Sequence, residues 1–116
     1  MIFVFGSNLR GYHGAGAAAH AMEFEGAKDG CGHGRSGNSY AIPTKDKKLQ
    51  PLSLKDISGY VSIFCYYARE HSQTPFLMTP IGCGYAGHNP EDILSLFKQH
   101  NLPNNVFLSN TWKDHF

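Results

Sequence analysis

Two short glycine-rich stretches carry the strongest chemical signal in this chain. The first is Asn8-Leu9-Arg10-Gly11-Tyr12-His13-Gly14-Ala15-Gly16, and the second is Gly82-Cys83-Gly84-Tyr85-Ala86-Gly87. Glycine lets backbone amides approach a phosphate with no side chain in the way. Each stretch follows an apolar run and lies ahead of a helix start, where free amides and the positive helix end favour an anion. If the two runs are neighbouring parallel strands, both loops converge on one diphosphate. The candidate ligand-binding residues are Asn8, Gly14, Ala15 and Gly16 from the first loop, with Ser7 just ahead of it. From the second they are Gly82, Cys83, Gly84, Tyr85, Ala86 and Gly87, and Thr44 joins them from the intervening segment.

Each motif has a competing reading. Gly82 to Gly87 matches G-x-G-x-x-G, the fingerprint of a dinucleotide-binding turn. In that turn the helix opens within the motif, whereas here the helix signal begins at Pro90, and no acid for the ribose hydroxyls occurs in Leu102–Leu108. A tight structural turn without a ligand also stays open. Neither loop is followed by G-K-[ST], so a magnesium-dependent P-loop nucleotidase is not supported. Lys45 and Asp46 lie past the second predicted strand, at the same edge of the sheet. Lysine there is a candidate nucleophile or electrostatic clamp; the alternative is a solvated turn beside Lys47 and Lys48. Cys83 is either a thiol acidified near a helix or a small residue filling a crowded loop. Tyr85 is either a stacking surface for a ribose or base, or a loop anchor. Cys31, His33, His13, His20 and His88 lack zinc-type spacing, so no metal and no resident cofactor is expected.

The elements that must position these residues follow from periodicity. Ile2–Phe5 is a continuous apolar run, as in a strand buried on both faces. Alanine-rich Ala15–Phe24 predicts a helix closed by Gly26, and the glycine-rich stretch 26–38 predicts a loop. Ser39–Pro43 reads as a second strand, and Thr44–Pro51 as polar and exposed. Ser53 and Asp56 resemble a capping box, and Leu54, Ile57, Val61, Phe64 and Ala68 form one apolar stripe of a helix ending near His71. Phe76–Ile81 is a third strand, ended by Pro80. Asn89-Pro90-Glu91-Asp92 starts a helix with Ile93, Leu94, Leu96 and Phe97 inside, and Asn105–Leu108 is the last strand, before a tail anchored by Trp112. Strands alternating with helices predict an α/β fold: a single three-layer α/β/α domain over residues 1–116, with a mainly parallel or mixed sheet.

Composition narrows the partners. A length of 116 residues suits one domain. The net charge is +1 and no basic run exceeds Lys47-Lys48, which disfavours a duplex nucleic acid partner. No apolar stretch approaches the roughly 18 residues of a membrane span, and the apolar start lacks a basic leader. Three cysteines without paired spacing point to reduced thiols, so the expected location is the cytoplasm.

Three segments together resemble a macro domain, closest to the terminal ADP-ribose protein glycohydrolase branch. They are Asn8 with Gly14-Ala15-Gly16-Ala17, Ile42-Pro43-Thr44-Lys45, and Ile81-Gly82-Cys83-Gly84, in that order. The resemblance covers most of residues 2–110 and implies an ADP-ribose cleft, with the third segment around the diphosphate. Its implied partners are ADP-ribose, a related NAD-derived nucleotide, or an ADP-ribosylated macromolecule. In that branch a lysine attacks the distal ribose, which falls on Lys45, and an acid assists two residues after the G-C-G. Ala86 occupies that acid position, leaving Asp46 as the substitute acid of a hydrolase reading. The other reading is a non-catalytic binder or sequestering protein for an ADP-ribose-type signal.

Overall fold

A computed structural model describes all residues, 1–116. Five strands form one mixed sheet: β1 (Ile2–Asn8), β2 (Gly34–Ser36), β3 (Ser39–Lys45), β4 (Phe76–Met78) and β5 (Val106–Leu108). Their spatial order is β2-β3-β1-β4-β5, with β3, β1, β4 and β5 parallel and β2 antiparallel at one edge. The helices are α1 (Gly16–Phe24), α2 (Leu54–Glu70) and α3 (Pro90–Gln99), and a short 3-10 helix spans Asn110–His115.

The period-two alternation of β1 and β3 assigns the helices to faces. Val4 and Ile42 pack with Ile57, Val61 and Phe64 of α2 and Ile93 and Phe97 of α3. Their strand neighbours Phe5 and Ala41 point the other way, onto Ala18 and Ala21 of α1. The result is the expected three-layer α/β/α sandwich, with layers of unequal thickness. The α2/α3 side is the main core, where Phe64 meets Tyr40, Phe76 and Phe97 ring to ring. Truncating a buried phenylalanine of this kind costs about 3–5 kcal/mol. The α1 side carries mostly alanine, so that helix lies close to the sheet and covers only part of it.

Local signals set the helix ends. Ser53 Oγ accepts from the Asp56 amide at the start of α2, and Asn89 Oδ1 accepts from the Glu91 amide at the start of α3, with Pro90 in the first position. After α1 the chain turns at Gly26, whose φ is +77°, and the Ala27 amide bonds back to the Ala21 carbonyl. The tail is pinned by Trp112, whose indole donates to the Met78 carbonyl at 2.9 Å.

The structure differs from the sequence expectations at several places. The 26–38 stretch contains the short strand β2, whose polar, glycine-containing Gly34-Arg35-Ser36 has no apolar alternation to betray it. β1 runs on through Gly6-Ser7-Asn8, because its backbone pairs with β3 whatever its side chains. β3 likewise continues to Lys45, and Thr44 is buried rather than exposed. β4 stops at Met78, before Pro80.

Candidate functional site

The carboxyl ends of β3, β1 and β4 open into a cleft of about 860 Å³ that separates the two glycine loops. Clefts of roughly 300–1,000 Å³ hold small molecules. Its position beyond the strand ends is where open α/β sheets bind ligands.

The first loop is built against the segment behind it. Asn8 Nδ2 donates to the Tyr12 carbonyl at 2.7 Å, and the Tyr12 amide donates to Asn8 Oδ1 at 3.0 Å. Ser7 Oγ donates to the Gly32 carbonyl, the Gly30 amide donates to the Gly11 carbonyl, and His13 Nε2 donates to the Cys31 carbonyl at 3.1 Å. A Cβ on Gly32 would overlap the Asn8 carbonyl oxygen, so only glycine permits this approach. His13 is buried, and its remaining ring nitrogen has no partner. The 26–33 stretch is therefore the support of the loop.

A register shift between Ser7 and Asn8 pairs Asn8 with Lys45, which places the lysine at the mouth of the cleft. Its ammonium lies 5.2 Å from the centre of the Tyr85 ring, a cation–π contact, and no carboxylate pairs with it. Tyr85 is 79% exposed, and its ring edge approaches Gly16 across the cleft. Thr44 Oγ1 donates to the Ser7 carbonyl at 3.2 Å.

The side chains of Ser7, Asn8 and Thr44 line the cleft but are engaged in bracing the strand ends. The cleft instead offers backbone. The amides of Gly14, Ala15, Gly16, Ala17 and Ala18 make no hydrogen bond within the protein, nor do those of Gly82, Gly84, Tyr85 and Ala86. α2 and α3 each begin with a side-chain cap and acidic residues, whereas α1 has neither. An uncapped helix start leaves its orphan amides and its positive end open to an anion.

The sequence-predicted residues therefore fall into two groups. Ser7, Asn8, Gly14, Ala15, Gly16, Thr44, Lys45, Gly82, Gly84, Tyr85 and Ala86 come together around the cleft. Cys83, Gly87 and Asp46 do not line it. Asp46 Oδ1 accepts from the Lys48 and Gln50 amides and closes the 46–50 turn. The Cys83 thiol packs against the core beside Ile81, and burial pushes it up to about 11, away from the acidified thiol of one sequence reading. Gly87 supplies a left-handed φ of +76° to the turn closed by its amide on the Gly84 carbonyl.

The far end of the cleft was not visible in the sequence. Phe3 and Leu77, paired in register across β1 and β4, line it on the thinly covered α1 side of the sheet. The His20 ring of α1 lies 4.8 Å from the Phe3 ring and tilted 46° to it, and Ser109, Thr111 and His115 also line the cleft. Phe3 marks a strand in any reading; nothing about Ser109 or Thr111 marks a site without the fold that brings them beside Leu77.

No protein-family model matches the sequence, and no curated protein is significantly similar to it. Solved structures do resemble it. The macrodomain of Mycobacterium tuberculosis DarG superposes with a TM-score of 0.66 at 20% identity, covering 92% of this chain and 86% of that one. A protein of unknown function from Bacteroides thetaiotaomicron superposes with a TM-score of 0.61 at 16% identity, covering 93% and 88%. The fold is thus macrodomain-like, as the three sequence segments imply. No helix is long and apolar enough to cross a membrane.

Proposed function

We propose that this cleft binds ADP-ribose or a related NAD-derived nucleotide. The observation that carries the reading is the uncapped start of α1, whose unpaired amides Gly14 to Ala18 share one cleft with those of Gly82 to Ala86. A diphosphate takes up hydrogen bonds from both sides there, and Lys45 is the one Lys or Arg side chain lining the cleft. The phosphates belong among the amides, and the less polar part of the nucleotide belongs on Phe3 and Leu77. The macrodomain-like fold supports the same assignment.

Lys45 acts in this reading as an electrostatic clamp. A hydrolase needs, besides a nucleophile, a proton-transfer group within hydrogen-bond reach of the reacting atoms. No carboxylate lines the cleft, Asp46 is held by its own turn, and of the two imidazoles that line the cleft His20 is packed between Phe3 and Phe24. Binding is therefore the proposed activity, of the free nucleotide or of an ADP-ribosyl group on a macromolecule. Calorimetry with ADP-ribose, AMP and NAD tests it: saturable binding of ADP-ribose, weakened about tenfold or more by Lys45→Ala, is expected. Absence of binding by all three would sink the reading, and Lys45-dependent release of ADP-ribose from a modified substrate would replace it with a hydrolase.

A further inference from the structure

We infer that the outward face of α2 is a dimerisation surface that seats the same helix of a second copy, running antiparallel; this is independent of the nucleotide reading. Ile57, Val61, Phe64 and Ala68 turn one face of α2 into the core. The opposite face carries a ridge of Lys55, Gly59, Ile63, Tyr66 and Glu70, all exposed and spaced by three or four residues. Ile63 is 50% and Tyr66 53% exposed, two large side chains adjacent on a helix whose inner face is already filled. Three further features of this ridge cost the lone helix stability. Gly59 lies in the helix interior, where glycine is worse than alanine, yet a Cβ there would meet nothing within 4 Å. No contact inside the chain therefore requires it. Lys55 stands at the positive end of the helix and Glu70 at the negative end, each against the helix dipole, and neither forms an ion pair within the chain.

All three features are accounted for by a reversed copy of the same ridge. A twofold axis between Ser62 and Ile63 brings Tyr66 of each copy over Gly59 of the other, a knob entering the hole that a missing side chain leaves. The same axis sets Lys55 of each copy beside Glu70 of the other, and the two Ile63 side chains meet at the centre. A parallel pairing would oppose Lys55 to Lys55 and Glu70 to Glu70, so charge selects the antiparallel form. The paired ridge is about 22 Å long at the helical rise of about 1.5 Å per residue. A single helix pair of that length is a small interface, which sets the dissociation constant on the order of 100 μM. No residue of α2 lines the cleft, so both copies keep their clefts free.

Sedimentation equilibrium of the full chain at low salt, from about 10 μM to about 1 mM, is expected to show a monomer–dimer equilibrium. A monomer at every concentration overturns the inference. Charge reversal then tests the register. Lys55→Glu and Glu70→Lys each place like charges at both ends of the pair and should weaken dimerisation about tenfold, whereas the double variant should restore it to within about threefold of the parent. Both reversals agree with the helix dipole, so neither endangers α2. Single reversals without effect, or a double variant as weak as the singles, overturn the antiparallel pairing. Gly59→Gln fills the hole with a better helix former; it should raise the melting temperature while weakening dimerisation at least about tenfold. Undiminished dimerisation of that variant would remove α2 from the interface and overturn the inference as well.

Discussion

Capping α1 should make the protein more stable and a worse binder at the same time. Ala15 is the N-cap residue, exposed, with φ −154° and ψ 163°, the extended geometry of a capping residue, and its side chain makes no bond. Ala15→Asp supplies a carboxylate that reaches the open amides of Ala17 and Ala18. A good cap contributes about 1 kcal/mol, and an acid at a helix start adds a few tenths more, so the melting temperature should rise by roughly 4 °C. The same carboxylate would sit where the ligand's phosphate belongs. Two unit charges 4 Å apart interact by about 4 kcal/mol at an effective dielectric of 20, and screening over a Debye length of about 8 Å at physiological salt lowers this to about 2.5 kcal/mol. Affinity should therefore fall by roughly fifty- to a thousandfold. Ala15→Asn fills the amides without the charge and should lose only about fivefold. Thermal melts and calorimetry with ADP-ribose read the two effects separately. An Ala15→Asp protein that is more stable yet binds as tightly as the parent would refute the assignment of these amides to the anion. A variant that gains no stability would show that they were never open to a cap.

Gly84→Val should leave the fold intact, since a Cβ there meets nothing within 4 Å and its φ is not left-handed, while a branched side chain bars the phosphate from the loop; ADP-ribose affinity should fall at least tenfold with an unchanged melt. Gly32→Ala should do the reverse of a local change, because its Cβ strikes the Asn8 carbonyl and pushes the first loop off its support; a loss of several kcal/mol in chemical denaturation is expected, as for other backbone clashes. Burial raises the thiols of Cys65 and Cys83 to about 11 and the phenol of Tyr40 to about 12. The folded protein keeps these protons where the unfolded chain has lost them, so their stabilising contribution is complete below about pH 9 and is lost as pH rises from there, by about 11 for the thiols and about 12 for Tyr40. Melting temperature should fall over that range, and Cys83 should react with a thiol reagent at pH 8 roughly a hundredfold more slowly than an ordinary cysteine.

How much of this was legible from sequence depends on which physical signal each part carries. The stripe Leu54, Ile57, Val61, Phe64, Ala68 and the cap Asn89 with Pro90 are local, and they gave α2 and α3 with their ends. Gly14-Ala15-Gly16, Gly82, Gly84 and Ala86 stood out because close backbone approach demands glycine or a small residue at fixed points, whereas Lys45 and Tyr85 stood out by their side-chain chemistry beside a predicted strand end and inside the loop. Other parts depend on partners far along the chain. Ser7 and Asn8 are strand residues only because β3 lies alongside them, and Asn8 is a brace only because Tyr12 turns back onto it. Gly30 and Gly32 belonged to a stretch rich in glycine, yet their purpose appears only when Gly11 and Asn8 lie against them. The pairing of Phe3 with Leu77, and the arrival of Ser109 and Thr111 beside them, is set by strand order, which no local pattern encodes. Asp46 illustrates the opposite error: adjacent to Lys45 in sequence, it turns away because its carboxylate satisfies the amides of its own turn.

The central claim is that a diphosphate is held by the open amides of the two glycine loops. Titration of ADP-ribose into uniformly ¹⁵N-labelled protein, followed amide by amide, tests it most directly. Saturable shifts are expected on Gly14 to Ala18 and on Gly82, Gly84, Tyr85 and Ala86, with the braced amides of α2 and α3 unmoved. Shifts confined to other surfaces, or none at saturating nucleotide, would contradict it.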